Sequence, residues 1–172
     1  MNLRKNILTA LLLAIGYIMH QVIPGTLGSM KFDLMLAFIF VALLINKSFS
    51  GTLLTAMLSG AITAMTTTFP GGQIPNVIDK LITCLVVYLL IMAVEKYRYN
   101  QLAVGAIAFI GTIISGAVFL YSALLIAGLP APFMLLFTTI VLPTSITNIV
   151  VTLIIYNAAM LAIKATGMKL VQ

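Results

Sequence analysis

The residues able to do chemistry in this sequence fall into two short stretches. Gly28-Ser29-Met30-Lys31-Phe32-Asp33 holds a base and an acid two positions apart, and Phe69-Pro70-Gly71-Gly72-Gln73-Ile74-Pro75-Asn76-Val77-Ile78-Asp79-Lys80 ends on an acid beside a base. One Lys and one Asp match a zwitterion: a free amino acid carries a carboxylate and an ammonium close together, and a receptor with one charge of each sign meets both. Gln73 and Asn76 add donors and acceptors beside them. Phe32, Phe69, Tyr121, Phe133 and Phe137 offer apolar walls, and such walls with a few convergent polar groups make a small-molecule pocket. The plainer reading is an Asp33–Lys80 or Lys31–Asp79 ion pair that merely ties two loops together, since charges near membrane depth must be paired, hydrated or used. The residues alone leave both readings open.

Other chemistry is poorly provided for. The sequence has no phosphate-cradling G-x-x-x-x-G-K-[ST], no H-E-x-x-H and no G-x-S-x-G, and His20 and Cys84 are each the sole residue of their type. Neither ATP hydrolysis nor familiar metal chemistry is encoded, so uphill movement of a solute needs a partner chain or an ion gradient. A membrane enzyme needs two or more titratable groups at acid–base distance in one pocket, and the chain has only three acids. An enzyme or a channel subunit is therefore the competing class. His20 reads as a polar tip reaching the interface, with a ligand or proton-relay role as its alternative.

The elements that must position these residues follow from composition. Of 172 residues, 62% are hydrophobic and 7% charged, against about a quarter charged in a soluble domain, so the chain is an integral membrane protein. At about 20 residues per span, it holds at most six or seven spans and no soluble module, which predicts one membrane-embedded, substrate-binding domain over 1–172. Cys84, within an apolar run, excludes a disulfide framework. Apolar runs at 6–23, 32–46, 50–68, 77–94, 101–128 and 133–164 predict an all-α bundle of six transmembrane helices. The second run is short for a bilayer of roughly 30 Å. The last is too long for one span, and Pro143 inside it predicts a short outer helix near 132–141 followed by a spanning helix from Pro143 to Lys164.

Arg4, Lys5, Lys47, Lys96, Arg98, Lys164 and Lys169 fall on one side of this topology, Lys31 and Lys80 on the other. The positive side is cytoplasmic, which puts both termini inside. Seven bases against Glu95 account for the whole net charge of +6, so topology explains the charge and nucleic-acid binding is not called for. The N-terminal run lacks a small-x-small cleavage site before His20, so it reads as a span and not as a signal peptide.

Thr144, Asn148, Thr152 and Tyr156 recur every fourth residue and line one helix face. Such a stripe bonds neighbouring helices, with Asn148 as the member expected to touch a solute. Ala56, Gly60 and Ala64, and Ala108, Thr112 and Gly116, have the spacing that lets helix backbones approach. Ala10 and Ala14 repeat it on the first helix, where the face packs internally or docks another subunit.

Six short spans, inward termini, Ala10-Leu11-Leu12-Leu13-Ala14 and the two outer stretches, with Gly111-Thr112-Ile113-Ile114-Ser115-Gly116 and Leu142-Pro143, resemble the substrate-binding S components of energy-coupling factor (ECF) transporters. The likeness runs over nearly the whole chain and is nearest to the tryptophan-specific S component. Thr67-Thr68-Phe69-Pro70-Gly71-Gly72-Gln73-Ile74-Pro75-Asn76 with Asp79-Lys80 is its specific part. Where that subfamily tends to show Lys-Pro-Asp, this chain has Lys31-Phe32-Asp33, which keeps the charges. The resemblance implies a multi-pass protein of a prokaryotic cell membrane that captures tryptophan, or another small aromatic solute or vitamin, at the outer face. A transmembrane T component and two ATPase subunits would use the ATP, and the chain itself would hold no cofactor. Carried onto these positions, Lys31 would hold the carboxylate, Asp79 the ammonium, Gln73, Asn76 and Asn148 polar atoms, and Phe69 or Tyr121 the ring. Ala10 and Ala14 would contact the T component through a face of methyl groups that packs closely yet slides.

Overall fold

A computed structural model describes residues 3–25, 29–95 and 100–166. Among the described residues there are six helices and no strand: α1 (Leu3–Val22), α2 (Met35–Ile45), α3 (Phe49–Thr66), α4 (Gln73–Glu95), α5 (Gln101–Ile126) and α6 (Phe133–Ala165). In hydrocarbon a backbone must satisfy its own polar groups, which a helix does within one segment. Five of the six are long and apolar enough to cross a membrane.

The exception is α2. Its eleven residues rise about 16 Å at 1.5 Å each, roughly half of a hydrocarbon core. All eleven are buried, from Met35 and Leu36 to Leu44 and Ile45, and the helix touches each of the other five. A helix apolar on every side has to be enclosed on every side. The span expected at 32–46 is thus a short helix sheathed by protein, and residues 29–34 fill the remaining depth without helix.

The helix starts use ordinary caps. Ser48 accepts from Gly51 N at 3.1 Å and Asn100 from Ala103 N at 2.8 Å. Asn46, between α2 and α3, donates to Asn6 Oδ1 at 3.0 Å and so ties that connection to the start of α1. Arg4, Lys5, Lys47 and Lys164 lie at this end, whereas Lys31, Asp33, Asp79 and Lys80 lie at the other. Lys96, Arg98, Lys169 and Gly28 are outside the described residues.

The structure corrects the break expected before Pro143. The chain stays helical from Phe133 to Ala165, with a π-helical turn over Phe137–Val141. Proline has no N–H to give to the carbonyl four residues back. The wider turn absorbs that loss, and Leu142 N bonds Phe137 O across it. Along α6, Thr144, Asn148 and Thr152 are buried, so the polar stripe faces protein. On α3, a Cβ added to Gly60 would stand 3.4 Å from Val77 Cα, which is how closely α3 and α4 pack.

Gly111 of α5 faces the same core, where an added Cβ would stand 2.8 Å from Phe40 Cζ of α2 and 3.0 Å from Val87 Cγ2 of α4. Gly111→Val should therefore overpack the centre and lower stability by about 1–3 kcal/mol. Ala106→Val, on an exposed position of the same helix, should stay within about 0.5 kcal/mol. Thermal unfolding of the two variants in detergent checks the difference.

Candidate functional site

The end of the bundle opposite Arg4, Lys5, Lys47 and Lys164 is organised by a buried ammonium. Lys80, in the second turn of α4, is 1% exposed, and its Nζ donates to Asp33 Oδ2 at 2.7 Å and to Asp79 Oδ2. Asp79, also 1% exposed, accepts from Thr83 Oγ1 at 2.8 Å through its other oxygen. Asp33 arrives from the loop before α2. Asn148 of α6 fixes its backbone, donating to Asp33 O and to Thr112 Oγ1, both at 3.1 Å. The second carboxylate oxygen of Asp33, Oδ1, stands 3.4 Å from His20 Nδ1, and neither atom has a hydrogen-bond partner. The Lys80 ammonium, 2.7 Å away, stabilises the carboxylate form of Asp33.

Lys31 is placed differently. Its ammonium donates to His20 O at 3.3 Å and Thr66 O at 3.4 Å. These carbonyls belong to the last turns of α1 and α3, where helix oxygens lack partners and carry partial negative charge. Among the described residues Lys31 has no carboxylate partner. The loop that carries it is pinned at Ser29, which has a left-handed backbone (φ 60°) and accepts from Thr68 Oγ1 at 2.7 Å.

Between these groups lies a cavity that is partly open to the surface. One side is polar: His20, Lys31, Asp33, Asn76, Asp79, Thr112, Ser115 and Thr144. The other is apolar: Met30, Leu36, Phe69, Gly116, Phe119, Ile140 and Val141. Phe69 and Phe119 meet edge to face with centroids 5.3 Å apart. A tight turn positions Phe69: its carbonyl accepts from Gly72 N at 3.0 Å, with Pro70 second and Gly71 third at φ 71°. α4 starts right after, four residues earlier than the apolar run suggested, so Asn76 falls within its first two turns. Asn76 donates to Gly72 O at 2.8 Å, which leaves its amide oxygen as acceptor.

Of the residues singled out in the sequence, Lys31, Phe69, Asn76 and Asp79 line this cavity. Gln73 is exposed at the start of α4, and Tyr121 is 62% exposed on the outside of α5. Asn148 is fully buried but behind the wall, where it holds Asp33 and Thr112. Phe32, Phe133 and Phe137 pack against the aromatic side from outside. Of the two ion pairs weighed, Asp33–Lys80 is present. Sequence reasoning missed the cavity roles of Ser115, Phe119, Ile140 and Val141. It read Thr112, Gly116 and Thr144 as packing, although their four-residue steps on facing helices were the available signal.

The chain matches the sequence model of the family described as "Tryptophan transporter TrpP" over residues 2–164. It is 42% identical to a probable tryptophan transport protein of Clostridium acetobutylicum, over 92% of each chain. It is also 42% identical to one of Bacillus subtilis, over 91% of this chain and 90% of that one. A third relative, of Clostridium perfringens, is 39% identical over 91% and 93% respectively. No solved structure is similar at a significant level.

Removing Lys80 would leave two buried carboxylates facing each other. Lys80→Met should cost about 3–5 kcal/mol, the usual penalty for breaking a buried pair from one side. Adding Asp79→Asn should recover part of it. Unfolding of the single and double variants in detergent, read as a double-mutant cycle, checks the coupling.

Proposed function

The chain belongs to the tryptophan transporter family, and from that premise we propose that it is the solute-binding S component of an ECF-type importer that captures tryptophan in the outer cavity. It is a multi-pass cell-membrane protein and a transporter by family, not an enzyme. The observation that carries the reading is the division of one cavity into a charged half and an aromatic half, with Lys31 in the first bonded to backbone carbonyls and, among the described residues, to no carboxylate. The carboxylate of tryptophan would meet Lys31, its ammonium the acidic cluster of Asp33 and Asp79, and its ring Phe69 and Phe119. The amide oxygen of Asn76 would accept from the indole N–H. Gln73 and Tyr121 lie outside the cavity and have no part in it, while Asn148 supports Asp33 from behind. Burying an aromatic side chain removes about 150–250 Å² from water, so the ring provides most of the affinity and the charges provide orientation. The domain is one membrane-embedded receptor, with both termini in the cytoplasm.

The energising partners are a T component and two ATPase subunits. The sequence has no nucleotide motif, and Ala10 and Ala14 lie exposed on α1 with Leu3, Ile7, Leu11, Ile15 and Ile18. A methyl-lined face of this kind suits a docking that must slide.

The chain has no tryptophan of its own, so the indole fluorescence of the bound solute is free of tryptophan background. The purified chain should bind tryptophan, and Lys31→Ala should weaken binding about 10- to 100-fold, the range for a lost hydrogen bond to a charge. Unchanged binding in Lys31→Ala would refute the role given to that residue. In vesicles the chain alone should bind without accumulating solute, and accumulation should require the T component, both ATPase subunits and ATP. Ala10→Leu/Ala14→Leu should leave binding intact and abolish accumulation.

A further inference from the structure

Two carboxylates face the cavity, and the structure gives them different work. We infer that Asp33 receives the ammonium of the solute, and that Asp79 is the fixed counter-charge that positions Asp33 through Lys80. This rests on the reading of the cavity as an amino-acid site and assigns roles within it.

The two acids differ in how far they are already satisfied. Both oxygens of Asp79 are taken, one by Lys80 and one by Thr83, and the residue is 1% exposed. Asp33 gives one oxygen to Lys80, while its Oδ1 accepts no hydrogen bond, and its side chain is 20% exposed. A carboxylate oxygen out of water that accepts no hydrogen bond, with His20 Nδ1 no nearer than 3.4 Å, is an unmet demand. The balance of charge says the same. Asp33 and Asp79 share the single ammonium of Lys80, which leaves one negative charge in the cluster, and a solute ammonium makes it neutral. Lys31 leaves one positive charge on the other side, and a solute carboxylate neutralises that.

Placement completes the argument. Lys31 and Asp33 lie two positions apart in the loop before α2, and both line the cavity. One loop therefore presents both charges to it. Asp79 lies on α4, across Lys80 from that loop. Its attachment to Lys80 keeps the ammonium aimed at Asp33, which makes it a positioning residue.

The test compares three ligands by their indole fluorescence with purified chain: tryptophan, indole-3-propionate, which lacks the ammonium, and tryptamine, which lacks the carboxylate. Wild type should bind tryptophan about 10- to 100-fold more tightly than indole-3-propionate. Asp33→Asn should bring that ratio to about 1, because the group reading the ammonium is gone. Asp79→Asn, which removes a charge of the cluster but leaves the free Asp33 oxygen in place, should lower that ratio only in part and keep tryptophan preferred, a result that a loss of general stability in Asp33→Asn could not imitate. Lys31→Ala should erase the preference over tryptamine and spare the preference over indole-3-propionate. If Asp79→Asn erases the ammonium preference, alone or along with Asp33→Asn, or if Asp33→Asn preserves it, the assignment is overturned. A wild-type chain that binds tryptophan no better than indole-3-propionate overturns it too. A wild-type chain that binds none of the three refutes the amino-acid site itself. If Asp33→Asn does not purify as a monodisperse species, Asp33→Ser, which keeps an oxygen toward Lys80, makes the same comparison.

Discussion

The end of this bundle that holds the cavity depends on the burial of one ammonium. Lys80 is 1% exposed in the second turn of a membrane-spanning helix, where an ion taken from water without partners is costly. Asp79, its neighbour in sequence, answers part of the demand. The rest is answered by Asp33, 47 positions away, and that draws the loop before α2 into the bundle. Once Asp33 is fixed, Lys31 is fixed two residues earlier. Its ammonium then reaches the ends of both α1 and α3.

The loop can enter because α2 is short. Eleven residues leave about half of the hydrocarbon depth to be filled by residues 29–34. Non-helical backbone is tolerated at such depth only where protein covers it. Here Asn148 takes the carbonyl of Asp33, Thr68 takes that of Ser29, and Lys31 takes those of His20 and Thr66. The polar stripe of α6, the pinned loop and the helix ends thus form one arrangement, and its inner surface is the polar half of the cavity. The aromatic half comes from the turn at Phe69 and from Phe119.

Much of this is legible in the sequence, for identifiable reasons. Five apolar runs are long enough to cross a membrane and became helices of that kind, because hydrocarbon offers a backbone no alternative. The second run was visibly short, but its enclosure was not legible, since enclosure depends on five other helices. Pro143 pointed to a break. The chain instead continues through a π-helical turn, and sequence pattern carries no sign of that choice. At the site, the charged and aromatic stretches named Lys31, Phe69, Asn76 and Asp79, all of which line the cavity. Residue type alone could not tell that Tyr121 faces outward, that Asn148 stands behind the wall, or that Thr144 and Ser115 stand in front of it. Those distinctions are rotations of about 100° around a helix axis, and they were fixed only by the packing of neighbours.

The same arrangement bears on release. A receptor that carries its solute across a membrane must let it go, and a buried charge with no partner in the empty state would hold a solute too well. Lys80 meets this by being paired before any solute arrives. Lys31 meets it in another way: its resting partners are carbonyls at helix ends, which carry partial charge of about half a unit per helix terminus. On the proposed reading, a solute carboxylate would offer Lys31 a stronger partner, and the helix ends would take the ammonium back when the solute leaves. The polar half of the cavity would then be satisfied enough to stay folded when empty and incomplete enough to prefer a dipolar guest. Ring burial would remain the larger and less selective part of the attraction.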